Sequence, residues 1–487
     1  MKKFKILSFP LILLMALSLL PVSALAVTPP DISARAAVLM DVNSGEVFFE
    51  KNGDTAQSPA STAKVMTALL AIEAIERGDI SLSDMVTASG SISDNLNDTS
   101  SDASPRIVYG ENMTVEDLLY CVLLVSADEA SNMLAEYVSG SVSAFVEAMN
   151  ARAEALGCGN THFANCNGVE AEDNYTTAMD MARITREAVS HRLFQTVSGT
   201  LYHTVAATNA AAARNLVSTN SLLDSSSEYR YEPAYGVKTG YSAAAGYCLI
   251  SAAKQNDINA VCVLLGGQNV GDQFRETLTL FRWLYNNFES TPIVNATTTI
   301  LTVPVELGVE DTVGIRAENG VTVVLPYDFD LSRISYEYIL YHEQNGVPLE
   351  APVSAGQLLG ELTVVELDGN QQRIQTYGTS RLVAAASVDV SRMEYLQNQF
   401  TDLLEQPMIH KLLRVLLIVL GVYLLLVIVY FFQRVHHLHS LRKAKKARAR
   451  HQAEEDARWL SIPDGRGEEE PEIGFFNEPA HAPQLQE

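Results

Sequence analysis

Ser61-Thr62-Ala63-Lys64 sets a hydroxyl and an amine three residues apart, and on a helix residues so spaced share a face about one turn apart. A serine hydroxyl is a weak nucleophile until a neighbouring base takes its proton, so this pair points to acyl transfer through Ser61 with Lys64 as the base. The spacing recurs at Ser251-Ala252-Ala253-Lys254 and Ser440-Leu441-Arg442-Lys443. Ser251 lies in a strand-like run, where positions i and i+3 face opposite sides of the sheet, and Ser440 follows a long apolar run near the C-terminus. Only Ser61 opens a predicted helix, after Pro59, where the helix dipole favours a developing oxyanion. A lysine serves as base near neutral pH only if its pKa drops from about 10.4 to near 7, at a cost of roughly 4 kcal/mol. Burial and a second nearby cation both push it that way. Lys238, followed by Thr239 and Gly240 after the apolar Tyr235 to Val237, can supply that cation, and a glycine in a strand lets substrate backbone approach closely.

These residues need a scaffold, and the chain's texture supplies one. Ala36 to Asp41 and Glu46 to Glu50 flank the turn Asn43-Ser44-Gly45 and read as a hairpin. Helical patterns follow at Ser61 to Arg77, Val115 to Val138 and Val142 to Leu156. Gly246 to Lys254 and Asn259 to Gly266 read as buried strands and Asp272 to Phe288 as a closing helix. Both kinds of element around one core predict an α+β domain over 32–290, helices packed on an antiparallel sheet. From 295 to 390 the helical period disappears, while Thr298 to Val305, Gly320 to Leu325, Ser335 to Tyr341 and Leu362 to Leu367 are β-rich, which predicts a small all-β domain. Met393, Leu396, Phe400, Leu403 and Leu404 then recur at helical spacing, so 391–414 reads as an amphipathic stalk.

The ends speak of export and anchoring. Three lysines by Lys5, an apolar stretch to Leu20 and Ala24-Leu25-Ala26 make 1–26 a signal peptide. Val415 to Phe432 is an uncharged run of 18 residues, about 27 Å of helix, close to the thickness of a bilayer's hydrocarbon core. Arg434, Arg442, Lys443, Lys445, Lys446, Arg448 and Arg450 follow it, and such clusters stay cytoplasmic. The expectation is a bacterial cell-membrane protein with a single span at 415–432. Its catalytic part lies outside, and a disordered cytoplasmic tail occupies 433–487, where the polar composition cannot build a core. Membrane lipid is thus a partner, and the basic tail segment is placed to meet anionic headgroups. The formal net charge of −24 argues against nucleic acid as a partner. Five cysteines, Cys121, Cys158, Cys166, Cys248 and Cys262, are too few and too uneven for a disulfide framework and read as buried thiols, with a Cys158–Cys166 bridge left open. No His-Glu-x-x-His occurs, so no metal or other cofactor is expected.

With these residues read, the chain resembles the low-molecular-mass penicillin-binding proteins that are serine-type D-alanyl-D-alanine carboxypeptidases, whose signature is Ser-x-x-Lys, Ser-x-Asn and Lys-Thr-Gly. The likeness extends from the hairpin to the nucleophile segment Pro59 to Thr67 and Thr114-Val115-Glu116-Asp117-Leu118-Leu119. It continues through Thr161-His162-Phe163 with Asn167-Gly168, Ser218-Thr219-Asn220, Gly236 to Gly240 and Leu349-Glu350-Ala351-Pro352-Val353 with Gly356. It implies the penicillin-binding/β-lactamase-like transpeptidase fold followed by the small β domain, and the removal of the terminal D-alanine from peptidoglycan stem peptides in cell wall maturation. Peptides ending in D-Ala-D-Ala become the substrates, and β-lactam antibiotics covalent inhibitors. Ser61 becomes the nucleophile, Lys64 its base and Ser126 a proton relay. Lys238, Thr239 and Gly240 hold the substrate's terminal carboxylate, and the amides of Ser61 and Tyr241 form an oxyanion hole.

One departure bears on the chemistry. The middle motif reads Ser126-Ala127-Asp128, with Asp128 where the family has asparagine. An amide can donate to a substrate carbonyl, whereas an ionised carboxylate only accepts, and an anion within about 5 Å would hold Lys64 as the ammonium. Either Asp128 is protonated or the enzyme is slow or alkaline-shifted. Literal matches at Ser93-Asp94-Asn95 and Ser218-Thr219-Asn220 compete for the motif, the first in a polar, loop-like stretch. Two further readings stay beside the carboxypeptidase: a catalytically weak or silent peptidoglycan-binding homologue, and a β-lactamase.

Overall fold

The computed structural model describes residues 27–96 and 105–459; the expected signal peptide, and the part of the tail beyond 459, lie outside them. Residues up to Val390 form one compact unit and those from Ser391 a second.

The first unit begins with the predicted hairpin, strands β1 (Ala36–Asp41) and β2 (Val47–Lys51). A 3-10 turn at Ala60–Ala63 leads into helix α1 (Lys64–Arg77), which Gly78 ends in the left-handed conformation at φ 79°, a backbone state that costs glycine little. A short ribbon, β3 (Met85–Thr87) with β4 (Asn112–Thr114), precedes α2 (Val115–Leu124), α3 (Asp128–Ser139), α4 (Val142–Ala155), α5 (Ala178–Ala188) and α6 (Arg192–Ser198). A second ribbon, β5 (Tyr202–Val205) with β6 (Arg214–Val217), is followed by the long strands β7 (Ala234–Ser242), β8 (Gly246–Gln255) and β9 (Ile258–Gly267) and helix α7 (Asp272–Asn287).

The five long strands form one sheet in the order β2-β1-β9-β8-β7, every adjacent pair antiparallel. Both faces are covered. Val38, Ile250 and Val263 look into a core with Leu69, Leu118 and Leu134 of α1 to α3, while Leu39, Cys262 and Leu264 meet Phe281 and Leu284 of α7. Burial on both sides explains why β1 reads as a continuous apolar run rather than an alternating one. The predicted α+β sheet-and-helix fold is what the chain adopts. β2 and β7 are the two edge strands of this sheet, and the site forms along β7.

The helix expected over Val115 to Val138 is two helices. Thr114 caps α2 by accepting from the Asp117 amide, and the chain breaks at Ser126, whose φ is +63°. A left-handed residue ends the helical hydrogen-bond ladder, and the amide of Thr219 takes the Leu124 carbonyl instead at 3.0 Å.

Beyond α7, β10 (Phe288–Val294) pairs with β13 (Val321–Pro326), and a second five-stranded sheet runs β11-β12-β16-β15-β14. Its strands are β11 (Thr299–Pro304), β12 (Thr312–Ala317), β14 (Ile334–Leu340), β15 (Leu358–Leu367) and β16 (Arg373–Ala384). This sheet has its own core of Val313, Ile315, Leu362, Val364 and Leu382.

In the second unit, α8 (Arg392–Glu405) carries the expected stalk residues Met393, Leu396 and Phe400, all exposed. Gln406 is extended before Pro407, as residues preceding proline tend to be. Helix α9 (Pro407–Trp459) contains the 415–432 run; its most apolar window has mean hydropathy 3.1, and none of that window is buried. The tail expected to be disordered from 433 is instead helical as far as Trp459. Leu, Ala, Lys, Arg, Gln and Glu dominate 433–459, all strong helix formers, and neither Gly nor Pro interrupts them.

Candidate active site

Ser61 sits in the 3-10 turn just before α1 and Lys64 begins the helix, so the turn and the first helical residue bring their side chains together. Lys64 Nζ lies 3.2 Å from Ser61 Oγ and 2.5 Å from Asp128 Oδ1, and it also donates to the Asn167 carbonyl. Three acceptors thus meet the three N–H bonds of an ammonium. The Lys64 side chain is fully buried and that of Asp128 only 12% exposed. The carboxylate foreseen beside Lys64 is there, at ion-pair distance.

Each partner comes from a different segment. Asp128 opens α3, where a negative charge suits the helix dipole. Asn167 precedes Gly168, whose φ is +80° and where a Cβ would stand 1.9 Å from the Ala60 carbonyl oxygen. Only glycine lets this loop close on the nucleophile turn. Below it, Thr67 Oγ1 donates to the Cys166 carbonyl, and the Cys166 thiol donates to Asn132 Oδ1 at 3.1 Å. Burial pushes the Cys166 thiol up to about 12, against the pull of Lys64. All five cysteines are free and buried, so Cys158 and Cys166 are not bridged.

Lys238 reaches the same centre from β7. Its Nζ donates to the Thr239 carbonyl at 2.8 Å. Burial first, then the charge of Lys64, holds its ammonium well below the usual lysine range, with Asp128 acting in the opposite direction. Thr239 Oγ1 is 2.5 Å from Thr219 Oγ1. A Cβ at Gly240 would come 3.2 Å from the Thr62 amide nitrogen and 3.4 Å from that of Ser61, so β7 runs directly against the nucleophile turn. Tyr241 follows, one residue before the strand ends at Ser242.

Ser126 lies two residues from Asp128, and its buried hydroxyl has no hydrogen-bond partner among the described residues; the Asn167 Nδ2 is likewise unpartnered, while its Oδ1 accepts from the Val169 amide at 3.1 Å. Such groups cost about 1–3 kcal/mol each when left unmet, a cost that a polar substrate entering the site would offset. Neither competing Ser-x-Asn match supplies a partner of Lys64: Ser93 ends a 3-10 turn whose neighbouring carbonyls, Ile92 and Asp94, accept from Asn132, and the Asn220 amide donates to the Gly236 carbonyl at 2.8 Å. Ser251 is in β8 and also donates to Gly236, at 2.7 Å. The Asn167 carbonyl and the Thr219 hydroxyl were not singled out as site groups from the sequence; the Asn167-Gly168 and Ser218-Thr219-Asn220 segments of the resemblance were the signals that contained them. A separate group, Glu73, Glu187 and His191, has ligand atoms close enough to hold a metal. Its two acids already bind Arg152, at 2.6 Å each.

Comparison with known proteins gives the chain's family. A sequence model described as D-alanyl-D-alanine carboxypeptidase matches residues 23–269. The D-alanyl-D-alanine carboxypeptidase DacF of Bacillus subtilis is 30% identical over 338 residues, 69% of this chain and 82% of the relative. DacC of Escherichia coli is 30% identical over 69% of this chain and 81% of its own length. Among solved structures, penicillin binding protein 5 from Haemophilus influenzae aligns with a TM-score of 0.60 at 28% identity, covering 74% of this chain and 99% of that one. A peptidoglycan synthesis regulatory factor from Streptococcus pneumoniae shares the fold with a TM-score of 0.63 at 24% identity, over 74% and 100% of the two chains. The relatives span both sheets, and the matched family segment holds the whole charged centre, so this chain belongs to the D-alanyl-D-alanine carboxypeptidase family.

Proposed function

We propose that the protein is a serine-type D-Ala-D-Ala carboxypeptidase acting on peptidoglycan stem peptides and acylated by β-lactams. The observation that carries this reading is the 3.2 Å approach of Lys64 Nζ to Ser61 Oγ inside a chain of that family. Ser61 Oγ attacks the carbonyl carbon of the penultimate D-alanine while Lys64, as free amine, takes the hydroxyl proton. The amides of Ser61 and Tyr241 receive the developing oxyanion, each worth roughly 3 kcal/mol in comparable sites. As the C–N bond breaks, Ser126 passes a proton to the leaving amine of the terminal D-alanine. Water then attacks the Ser61 ester, returning the hydroxyl and releasing the shortened peptide. Lys238 and Thr239 hold the terminal carboxylate beside Gly240.

The site is held outside the cell membrane by α9, with the basic stretch after Phe432 on the cytoplasmic side. The observation behind this topology is a helix with an apolar window of mean hydropathy 3.1, entirely unburied, followed by seven Lys and Arg residues between 434 and 450. The peptidase portion, 32–290, and the β portion, 295–390, act as one extracytoplasmic body.

Intact mass of the detergent-solubilised protein after benzylpenicillin, beside Ser61→Ala, tests the centre. A lasting adduct that vanishes in the variant, with D-alanine released from a D-Ala-D-Ala peptide, is the expected outcome. A second reading, a silent peptidoglycan-binding homologue, rests on the 2.5 Å Lys64–Asp128 pair; stem-peptide binding with neither adduct nor D-alanine release would support it. An adduct that hydrolyses rapidly would instead indicate a β-lactamase.

A further inference from the structure

Tyr241 is 60% exposed, unusual for a large aromatic ring beside a buried reaction centre. It is also held in place. Its cross-strand partner is Tyr247, and the two rings stack at 4.6 Å between centroids with a tilt of 32°. One face of Tyr241 is thus covered by Tyr247, which leaves the other open to solvent.

The strand fixes where that open face lies. From Val237 to Ser242 the pairing with β8 is regular, Thr239 opposite Leu249 and Tyr241 opposite Tyr247. Side chains alternate across such a ladder, so Thr239 and Tyr241 share one side of β7 while Lys238 points to the other. Two residues along a strand is about 7 Å. In the proposed binding mode, a terminal residue whose carboxylate rests on Thr239 lies about 7 Å along β7 from Tyr241, the nearest large side chain on that side of the strand. A methyl group is too short to cross that gap, whereas a branched or thioether side chain spans it.

We propose that Tyr241, braced by Tyr247, is a specificity-determining platform for the side chain of the residue released, and that it extends the substrates to stem peptides ending in D-amino acids with larger apolar side chains, such as D-leucine or D-methionine. The proposal rests on the carboxypeptidase reading and deepens it. No bond other than the established scissile amide is involved; the platform acts by burying apolar surface against an aromatic face.

The test compares release of the terminal amino acid from diacetyl-L-lysyl-D-alanyl-D-alanine and from the same peptide ending in D-leucine, using full-length protein in detergent. In Tyr241→Ala the ratio of kcat/KM for D-leucine over D-alanine falls about fivefold or more, in Tyr247→Ala it falls by less, and in Tyr241→Phe it is kept, because the face and not the hydroxyl does the binding. An unchanged ratio in Tyr241→Ala, or an equal loss on both peptides, overturns the platform while leaving the acyl-transfer reading intact. If the unaltered protein releases neither amino acid and forms no penicilloyl adduct, the acyl-transfer reading itself is overturned and the platform with it.

Discussion

Two regions of the first unit bury ionisable groups, and they do so with opposite sign patterns. At the edge of β7, Lys64 meets Asp128 and faces Lys238, so cation and anion are paired within a dry pocket. At the seam between the β1–β2 hairpin and the second sheet, acids gather around a groove of about 630 Å³. Asp41 is buried, with Oδ1 taking the Ser44 amide and hydroxyl. Glu46 accepts from Gln375 at 3.1 Å, and Glu366 accepts from Tyr377 at 2.7 Å while pairing with Arg333. Burial drives the Glu46 carboxyl up to about 7; the Gln375 hydrogen bond opposes this, and the charges of Asp41 and Glu366 add to it. Opposite charges in a dry site set up proton transfer, whereas like charges there set up a pH-sensitive joint.

The contrast breaks most visibly if the catalytic charge is removed. Lys64→Met leaves Ser61 without its base and Asp128 without its cation, and penicillin acylation should fall by about 10³-fold or more, read as the rate of adduct formation by mass. A retained rate would assign the base elsewhere.

Next in size is the loop that closes on the nucleophile. Gly168→Ala forces a Cβ against the Ala60 carbonyl, and a displacement near 1 Å at a reacting group costs about 10²-fold. Acylation should drop by that order, with a lowered Tm from the strained backbone.

The seam is sharpened by Glu46→Gln. The folded carboxyl titrates near 7 against an ordinary 4.5, so the folded state holds the proton more tightly. Glu46 therefore opposes folding progressively as pH rises from about 4.5 to 7, by about 3 kcal/mol once fully ionised. Urea midpoints measured from pH 4.5 to 8 should show the difference between variant and parent growing in the variant's favour across that window. A constant difference would mean that the seam admits water freely.

The smallest effect is the most instructive for the centre. Asp128→Asn removes the anion 2.5 Å from Lys64 and restores an amide donor, so acylation at pH 7 should rise about tenfold and the pH–rate profile should move toward lower pH. A fall would show that this site wants the carboxylate.

Much of this was open to a reader of the sequence. The hairpin around Asn43-Ser44-Gly45, β8, β9 and α7 follow from turn residues and apolar runs, which are local signals, and their ends agree within a residue or two. The α2–α3 break was not legible, because nothing in Leu124-Val125-Ser126-Ala127 disfavours helix. The left-handed state of Ser126 is stabilised from outside, by packing and by the Thr219 amide bond to Leu124. The ribbon β5–β6 is short and polar on one side, and its alternation is too brief to stand out. At the tail, low hydrophobicity argued for disorder, whereas helix propensity, which needs no core, carried α9 to Trp459.

By itself, then, the sequence determined which chemistry was present: a serine and lysine at helical spacing, a Lys-Thr-Gly turn, an aspartate in the middle motif and an apolar run of membrane length. Those are matters of residue type and short-range order, which the local chain carries. Tertiary structure alone decided that Asp128 rather than Asn95 or Asn220 meets Lys64, that Lys238 enters the same dry pocket, and that Tyr241 stands open beside it. Each of those placements joins segments tens to more than a hundred residues apart: α3 sets Asp128 2.5 Å from Lys64, and the packing of β7 against the nucleophile turn sets Lys238 and Tyr241 beside it.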